Sequence, residues 1–215
     1  MARIVIVGGH GKVALRLARI LSERGDEATS VFRNPAHTDD VAATGATPVV
    51  ADIEQLEGSA LADLLAGHDG VVFSAGAGGG DPARTYAVDR DAAIRVIDGA
   101  DRAGVRRFVM VSYFGAGPDH GVPQDDSFYP YAEAKAAADA HLRASALDWT
   151  ILGPGRLTLE PGTGRIAVGP AGKNAVSRDD VALVAAAALA DDSTIHRTID
   201  FNNGDLPITE ALAAG

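Results

Sequence analysis

The chain predicts an α/β protein built on a doubly wound parallel sheet with helices on both faces. Short apolar runs alternate with alanine-rich helical segments. The first apolar run opens directly into a glycine loop. At 215 residues, 47% of them hydrophobic, the chain is long enough for one core without disulfides or structural metal. A single domain spanning residues 1–215 is expected, with about 154–215 forming a small substrate-side appendage.

The elements follow in order. Arg3–Val7 is β-branched and ends at Gly8-Gly9. Val13, Leu17, Ile20 and Leu21 recur at helical spacing and stop before Gly25. Ala28–Phe32 ends at Arg33-Asn34-Pro35, and Thr47–Ala51 ends at Asp52. A helix carrying Leu56, Leu61, Leu64 and Leu65 stops at Gly67, and Gly70–Phe73 runs into Ser74-Ala75-Gly76. Ala83–Ala103 reads as one long helix closed by Gly104. Arg107–Val111 ends at Ser112, Tyr131–Ala146 is helical, and Trp149–Leu152 ends at Gly153-Pro154-Gly155. Ser177 with Asp180 three residues on suggests a capping box for a helix over Asp179–Ala190. A late strand, Thr198–Phe201, and a short terminal helix complete the pattern. Most of the strands are continuous apolar runs, as expected where both faces are covered.

Composition removes several functions. With no cysteine, thiolate metal sites and cysteine nucleophiles are excluded. A net charge of −10 argues against a nucleic-acid surface. The longest apolar stretch, Val181–Ala190, is half a membrane span. No signal peptide is evident, so a soluble cytoplasmic protein, monomeric or homodimeric, is expected. The six histidines lack HxxxH or HExxH spacing. Gly11-Lys12 is followed by Val13, not Ser or Thr, so no P-loop exists. Ser74 lacks the first glycine of a nucleophile elbow.

What remains is the loop Gly8-Gly9-His10-Gly11-Lys12-Val13-Ala14 between the first strand and helix. It fits a dinucleotide loop in two registers, Gly9-x-Gly11-x-x-Ala14 or Gly8-x-x-Gly11-x-x-Ala14. In either, a diphosphate reaches bare helix amides and the positive dipole end. A second glycine run, Ala75–Gly80, follows the fourth strand, across the expected switch point. No acid stands at the tip of the second strand to hold a ribose hydroxyl. Arg33 stands there instead and suits a 2′-phosphate, with Lys12 or His10 as helpers, so NADP is favoured and NAD remains possible. A solvated loop arginine is the plainer alternative. Asp52 either meets the adenine amino group or caps the following helix.

Tyr131 and Lys135 lie one helical turn apart on one face. An ammonium beside a phenol lowers its pKa, which would let Tyr131 move a proton to or from a substrate oxygen. Ser112, at the carboxyl edge of the sheet, could hydrogen-bond a substrate carbonyl. Walls for the pocket are expected from Phe114–Tyr129, Pro154–Leu159 and the loop near Gly162–Gly172. Asp119-His120 and Asp125-Asp126 read as a solvated lid.

These residues resemble the short-chain dehydrogenase/reductase superfamily: Gly8-x-x-Gly11-x-x-Ala14, Asp52-Ile53, Ser74-Ala75-Gly76, Asp89, Ser112 and Tyr131-x-x-x-Lys135. Val105–Ser112 and Leu147–Leu152 resemble its atypical, NAD(P)H-binding, NmrA-like branch. The resemblance implies a Rossmann fold and catalytic roles for Ser112, Tyr131 and Lys135. The cofactor contacts expected are Gly8, Gly11, Lys12, Val13, Arg33, Asp52, Ile53, Ser74, Ala75 and Gly76, with Tyr131 and Lys135. Where the branch usually has Arg-Pro-Gly, this chain has Gly153-Pro154-Gly155, with Arg156 displaced. The leading expectation is an NADP-dependent oxidoreductase acting on a small carbonyl, alcohol or quinone-like substrate. The alternatives are a redox-sensing regulator without turnover and a flavin or quinone reductase.

Overall fold

A computed structural model describes residues 1–170 and 175–214 of the chain. Its main sheet has nine strands. Six of them are β1 (Arg3–Val7), β2 (Glu27–Phe32), β3 (Thr47–Val50), β4 (Gly70–Phe73), β5 (Arg107–Val111) and β6 (Asp148–Pro154). They run parallel in the order β3-β2-β1-β4-β5-β6, reversing at β1/β4 as a Rossmann sheet does. β10 (Arg197–Asn203) adds a seventh parallel strand beside β6. β8 (Arg165–Val168) and then β11 (Leu206–Pro207) close that edge antiparallel. β7 (Arg156–Thr158) and β9 (Ala175–Ser177) form a separate parallel pair. Residues after Pro154 therefore supply both sheet strands and the β7/β9 pair.

Strand alternation divides the interior in two. On β1, Ile4 and Ile6 face one core while Val5 and Val7 face the other. The first core buries Leu17 and Leu21 of α1 (Lys12–Glu23) against Val181, Val184 and Ala185 of α7 (Arg178–Ala190). The second packs Leu61 and Leu65 of α3 (Gly58–Leu65) with Ile97 of α5 (Ala93–Ala103) and Leu142 of α6 (Tyr129–Ala144). A short helix, α2 (Thr38–Ala42), precedes β3, and α8 (Ile208–Ala214) ends the described chain. None of the helices described is long and apolar enough to cross a membrane.

The long helix expected over Ala83–Ala103 is divided. α4 (Pro82–Thr85) passes into a π-helical stretch, Tyr86–Ala92, before α5 resumes. Asp81 caps α4 through the amides of Ala83 and Arg84. The wider π turn carries Asp89, whose Oδ2 accepts the Ala77 amide at 2.9 Å. Such turns concentrate at functional sites, and this one grips the glycine loop after β4.

Only half of the expected capping box forms. Ser177 Oγ accepts from the Asp180 amide at 2.9 Å, but the Asp180 carboxylate does not reach back to the Ser177 amide. It accepts instead from the amides of Thr163 and Gly164 and from Ser177 Oγ.

Candidate functional site

The turn from β1 into α1 can be made only with glycines. Gly8 has φ +87°, and a Cβ there would stand 2.5 Å from Ala75 Cα. A Cβ on Gly9 would stand 2.6 Å from Ser30 Cβ. Gly8 and Gly11 line the cavity beside the turn, whereas Gly9 does not. Of the two registers, Gly8-x-x-Gly11-x-x-Ala14 is the one whose two glycines both line that cavity. No side chain caps α1, which leaves its first amides open to an anion.

A cavity of about 310 Å³ lies between the ends of β1, β2, β3 and β4. Arg33, Asp52, Ile53 and Ala75 line it together with Glu54 and Arg84, which sequence reasoning missed. Asp52 does not cap a helix: its Oδ1 accepts the Glu54 amide at 3.0 Å, and α3 starts at Gly58. Arg33 is not a free loop cation, since its Nη1 donates to Glu54 Oε1 at 2.7 Å. His10 stacks on His37 with centroids 3.6 Å apart and meets Asp40 at 3.0 Å.

A second cavity of about 500 Å³ continues along the sheet edge. Lys12, Val13, Ser74, Gly76, Ser112 and Tyr131 line it, with Arg178 at the start of α7 as a further cation. Lys12 therefore belongs to this cavity and not to the one holding Arg33. A third cavity of about 470 Å³ meets it at Ser112 and Tyr131, with walls from Phe114, Phe128, Pro154 and Leu157. Of the wall loops expected, Gly162–Gly164 is tied to α7, while residues 171 and 172 lie outside the described residues.

Tyr131, Lys135 and Asp139 occupy successive turns of one α6 face. Lys135 is wholly buried, and its Nζ donates to Val111 O at 2.9 Å and contacts Met110 Sδ at 3.4 Å. Ser112 Oγ lies 2.6 Å from Asp139 Oδ2, while Asp139 Oδ1 is buried without a partner among the described residues. Burial lowers the Lys135 pKa and raises those of Asp139 and Asp89. The Tyr131 phenol is pushed up, by burial first and then by Asp89 and Asp139. This corrects the expectation that Lys135 lowers it. Two carboxylates and desolvation outweigh one ammonium that is engaged with a strand carbonyl.

The aromatic rings of Tyr113, Phe128 and Tyr131 cluster with centroids 5.2–5.6 Å apart. The segment expected as a solvated lid is pinned in part. The His120 side chain is 5% exposed, with Nε2 2.8 Å from Glu133 Oε1 and Nδ1 accepting the Val122 amide.

The end of β6 explains the departure at Gly153. A Cβ there would overlap the Asp200 carboxylate and approach Tyr113 O at 3.1 Å, so a side chain fits only if Asp200 moves aside. Asp139 and Glu54 carried weak signals in the sequence. Asp139 lies eight residues beyond Tyr131 on the same helical face, and Glu54 directly follows Asp52-Ile53.

Sheet order, glycine cradle and the Ser112, Tyr131, Lys135 grouping define an atypical short-chain dehydrogenase/reductase-type protein that binds a nicotinamide dinucleotide. The cradle fits that ligand, because α1 begins without a side-chain cap beside a cavity that Gly8 and Gly11 line. A family model described as NAD(P)H-binding matches residues 8–192, and the chain belongs to that NAD(P)H-binding family. It is 36% identical to the "uncharacterized sugar epimerase YhfK" of Bacillus subtilis, covering 98% of both chains. It is 35% identical to the UPF0659 protein C216.03 of Schizosaccharomyces pombe, covering 99% of this chain and 94% of that one. A solved structure from Bacillus halodurans, named as an NAD-dependent epimerase/dehydratase, superposes with a TM-score of 0.91 at 34% identity over 100% of both chains.

Proposed function

We propose that the protein is an NADP(H)-dependent oxidoreductase that reduces a small, flat, largely apolar carbonyl or quinone-like compound. One observation carries the reading: the Tyr131 phenol lines both the cavity that holds Lys12 and Ser74 and the aromatic cavity beside it. A protonated phenol is a proton donor, the role needed when a carbonyl becomes an alkoxide.

Reduced nicotinamide, when bound, supplies the hydride. The chain's own residues do the rest. The open amides of α1, with Lys12 and Arg178, would hold the diphosphate. Arg33 and Arg84 offer two guanidinium groups to a 2′-phosphate. Ser112 would orient the substrate oxygen and Tyr131 would protonate it. Lys135, donating to Val111 O, would hold α6 against the end of β5 that leads into Ser112.

The names of the relatives raise epimerisation as a rival. Epimerisation through a nicotinamide begins by oxidising an alcohol, which needs Tyr131 as a base. The apolar third cavity suits a sugar poorly.

NADPH consumption with a panel of ketones, aldehydes and quinones tests the reading, comparing wild type with Tyr131→Phe. Carbonyl reduction should fall by about 10²–10⁴-fold in the variant, with NADPH affinity nearly unchanged. Turnover equal to wild type would reject the proton-transfer role. Quinone turnover alone surviving would mark direct hydride delivery to a ring. Cofactor binding with no turnover on any of these substrates would favour a sensor.

A further inference from the structure

The ribose end of the first cavity carries an anion. Glu54 Oε1 accepts from Arg33 Nη1 at 2.7 Å, and Arg84 Nε stands 3.7 Å from the same oxygen. The backbone bearing Glu54 is fixed from three sides. Asp52 Oδ1 accepts its amide at 3.0 Å, and Arg95 Nη2 donates to the carbonyls of Ile53 and Glu54 at 3.2 Å each. Arg84 is also held, its Nη1 donating to Ala77 O at 3.0 Å. The Glu54 side chain is 19% exposed and that of Arg33 51%. Arg33 is thus the member of the pair free to swing.

Charge counting shows what this does to a ligand. The cavity presents two guanidinium groups, Arg33 and Arg84, against two carboxylates, Asp52 and Glu54. A phosphate monoester brings about −1.5 to −2 charge near neutral pH. It would have to take Arg33 from Glu54 and then sit beside that carboxylate. A ribose hydroxyl meets no such opposition and can donate to Glu54.

We propose that Glu54 determines coenzyme specificity: it restrains Arg33 from the 2′-phosphate of NADP and accepts a ribose hydroxyl of NAD. The acid missing from the tip of β2 is supplied from the loop after β3. The protein then binds NADH as well as NADPH, and its preference for NADPH is smaller than Arg33 and Arg84 alone would give. This rests on reading the first cavity as the adenosine-ribose site.

Direct titration with NADPH and with NADH tests the assignment without any substrate. The quantity read is the ratio of Kd for NADH to Kd for NADPH in wild type, Glu54→Gln and Arg33→Gln. The ratio should rise about tenfold in Glu54→Gln, equivalent to about 1.4 kcal/mol, and drop below the wild-type value in Arg33→Gln. Melting curves confirm that each variant is folded. Should Glu54→Gln not fold, Glu54→Asp, one methylene too short for the Arg33 contact, must raise the same ratio. A Glu54 variant whose ratio stays within twofold of wild type overturns the proposal even if Arg33→Gln moves it. If wild type binds neither coenzyme, the dinucleotide reading itself is overturned, and this assignment with it.

Discussion

Two residues concentrate the physics of the site. Gly8 combines a left-handed backbone with a forbidden approach to Ala75. A side chain there costs about 1–2 kcal/mol from conformation alone, before the overlap is relieved by moving the cradle. Gly8→Ala should therefore lower the melting temperature and weaken NADPH binding at least tenfold, as read by titration. Asp139 poses a different problem, because it is fully buried with one oxygen unpartnered. Lys135 is the buried cation nearby, and Asp89 competes for it. One ammonium cannot balance two buried carboxylates, so burial raises the Asp139 pKa. An acid whose folded pKa is raised loses its proton first in the unfolded chain as pH rises. Stability contributed by Asp139 is therefore greatest below its ordinary value of about 3.9 and declines until the folded pKa is passed. Asp139→Asn removes that slope. Melting temperatures from pH 4 to 8 should decline less steeply in the variant, with the gain largest at the alkaline end. A variant less stable than wild type near neutrality would instead make Asp139 the ionised partner of Lys135.

Elements differ in how plainly the sequence announces them. Apolar runs such as Val71–Phe73 and Phe108–Val111 mark central strands because both faces are covered. Strands β8 and β11 escape notice, since they are short and half exposed and their pairing, β8 with β10 and β11 with β8, joins distant parts of the chain. The π stretch is equally silent, as its residues fit a regular helix until the Asp89 contact with Ala77 draws the turn wide. Within the site, glycines and the Tyr131/Lys135 spacing are legible because they obey local rules. Glu54, Arg84 and Asp139 act across tertiary distances and are not. The Ser177/Asp180 pair shows the same division: the cap is local, but the carboxylate serves the 162–164 loop. Asp180→Ala removes a buried carboxylate that accepts from part-buried amides and from Ser177 Oγ, and should destabilise by about 2–3 kcal/mol. At about 2–4 °C per kcal/mol for a chain of this size, thermal unfolding should begin at least 4 °C lower. A shift under 1 °C would mean that water replaces the carboxylate without loss.

The molecule as a whole is a sheet clamped between two cores, and the candidate site occupies the carboxyl edge where the strand order reverses. Ligand bound there touches the ends of β1, β2, β3, β4 and β5 together with α1 and α6. Unfolding of any of these elements destroys the site, so binding must be linked to global stability and not to a local loop. A ligand that binds only the folded chain adds about 2.7 kcal/mol when present at a hundred times its Kd. For a protein of this length that corresponds to a rise of about 5–11 °C. Differential scanning fluorimetry with increasing NADPH should show the melting temperature rising with the logarithm of concentration and never reaching a plateau. In Gly8→Ala the same rise should be displaced to at least tenfold higher NADPH. If millimolar NADPH leaves wild-type unfolding unmoved, the bare amides at the start of α1 do not hold a diphosphate, whatever the geometry of Tyr131.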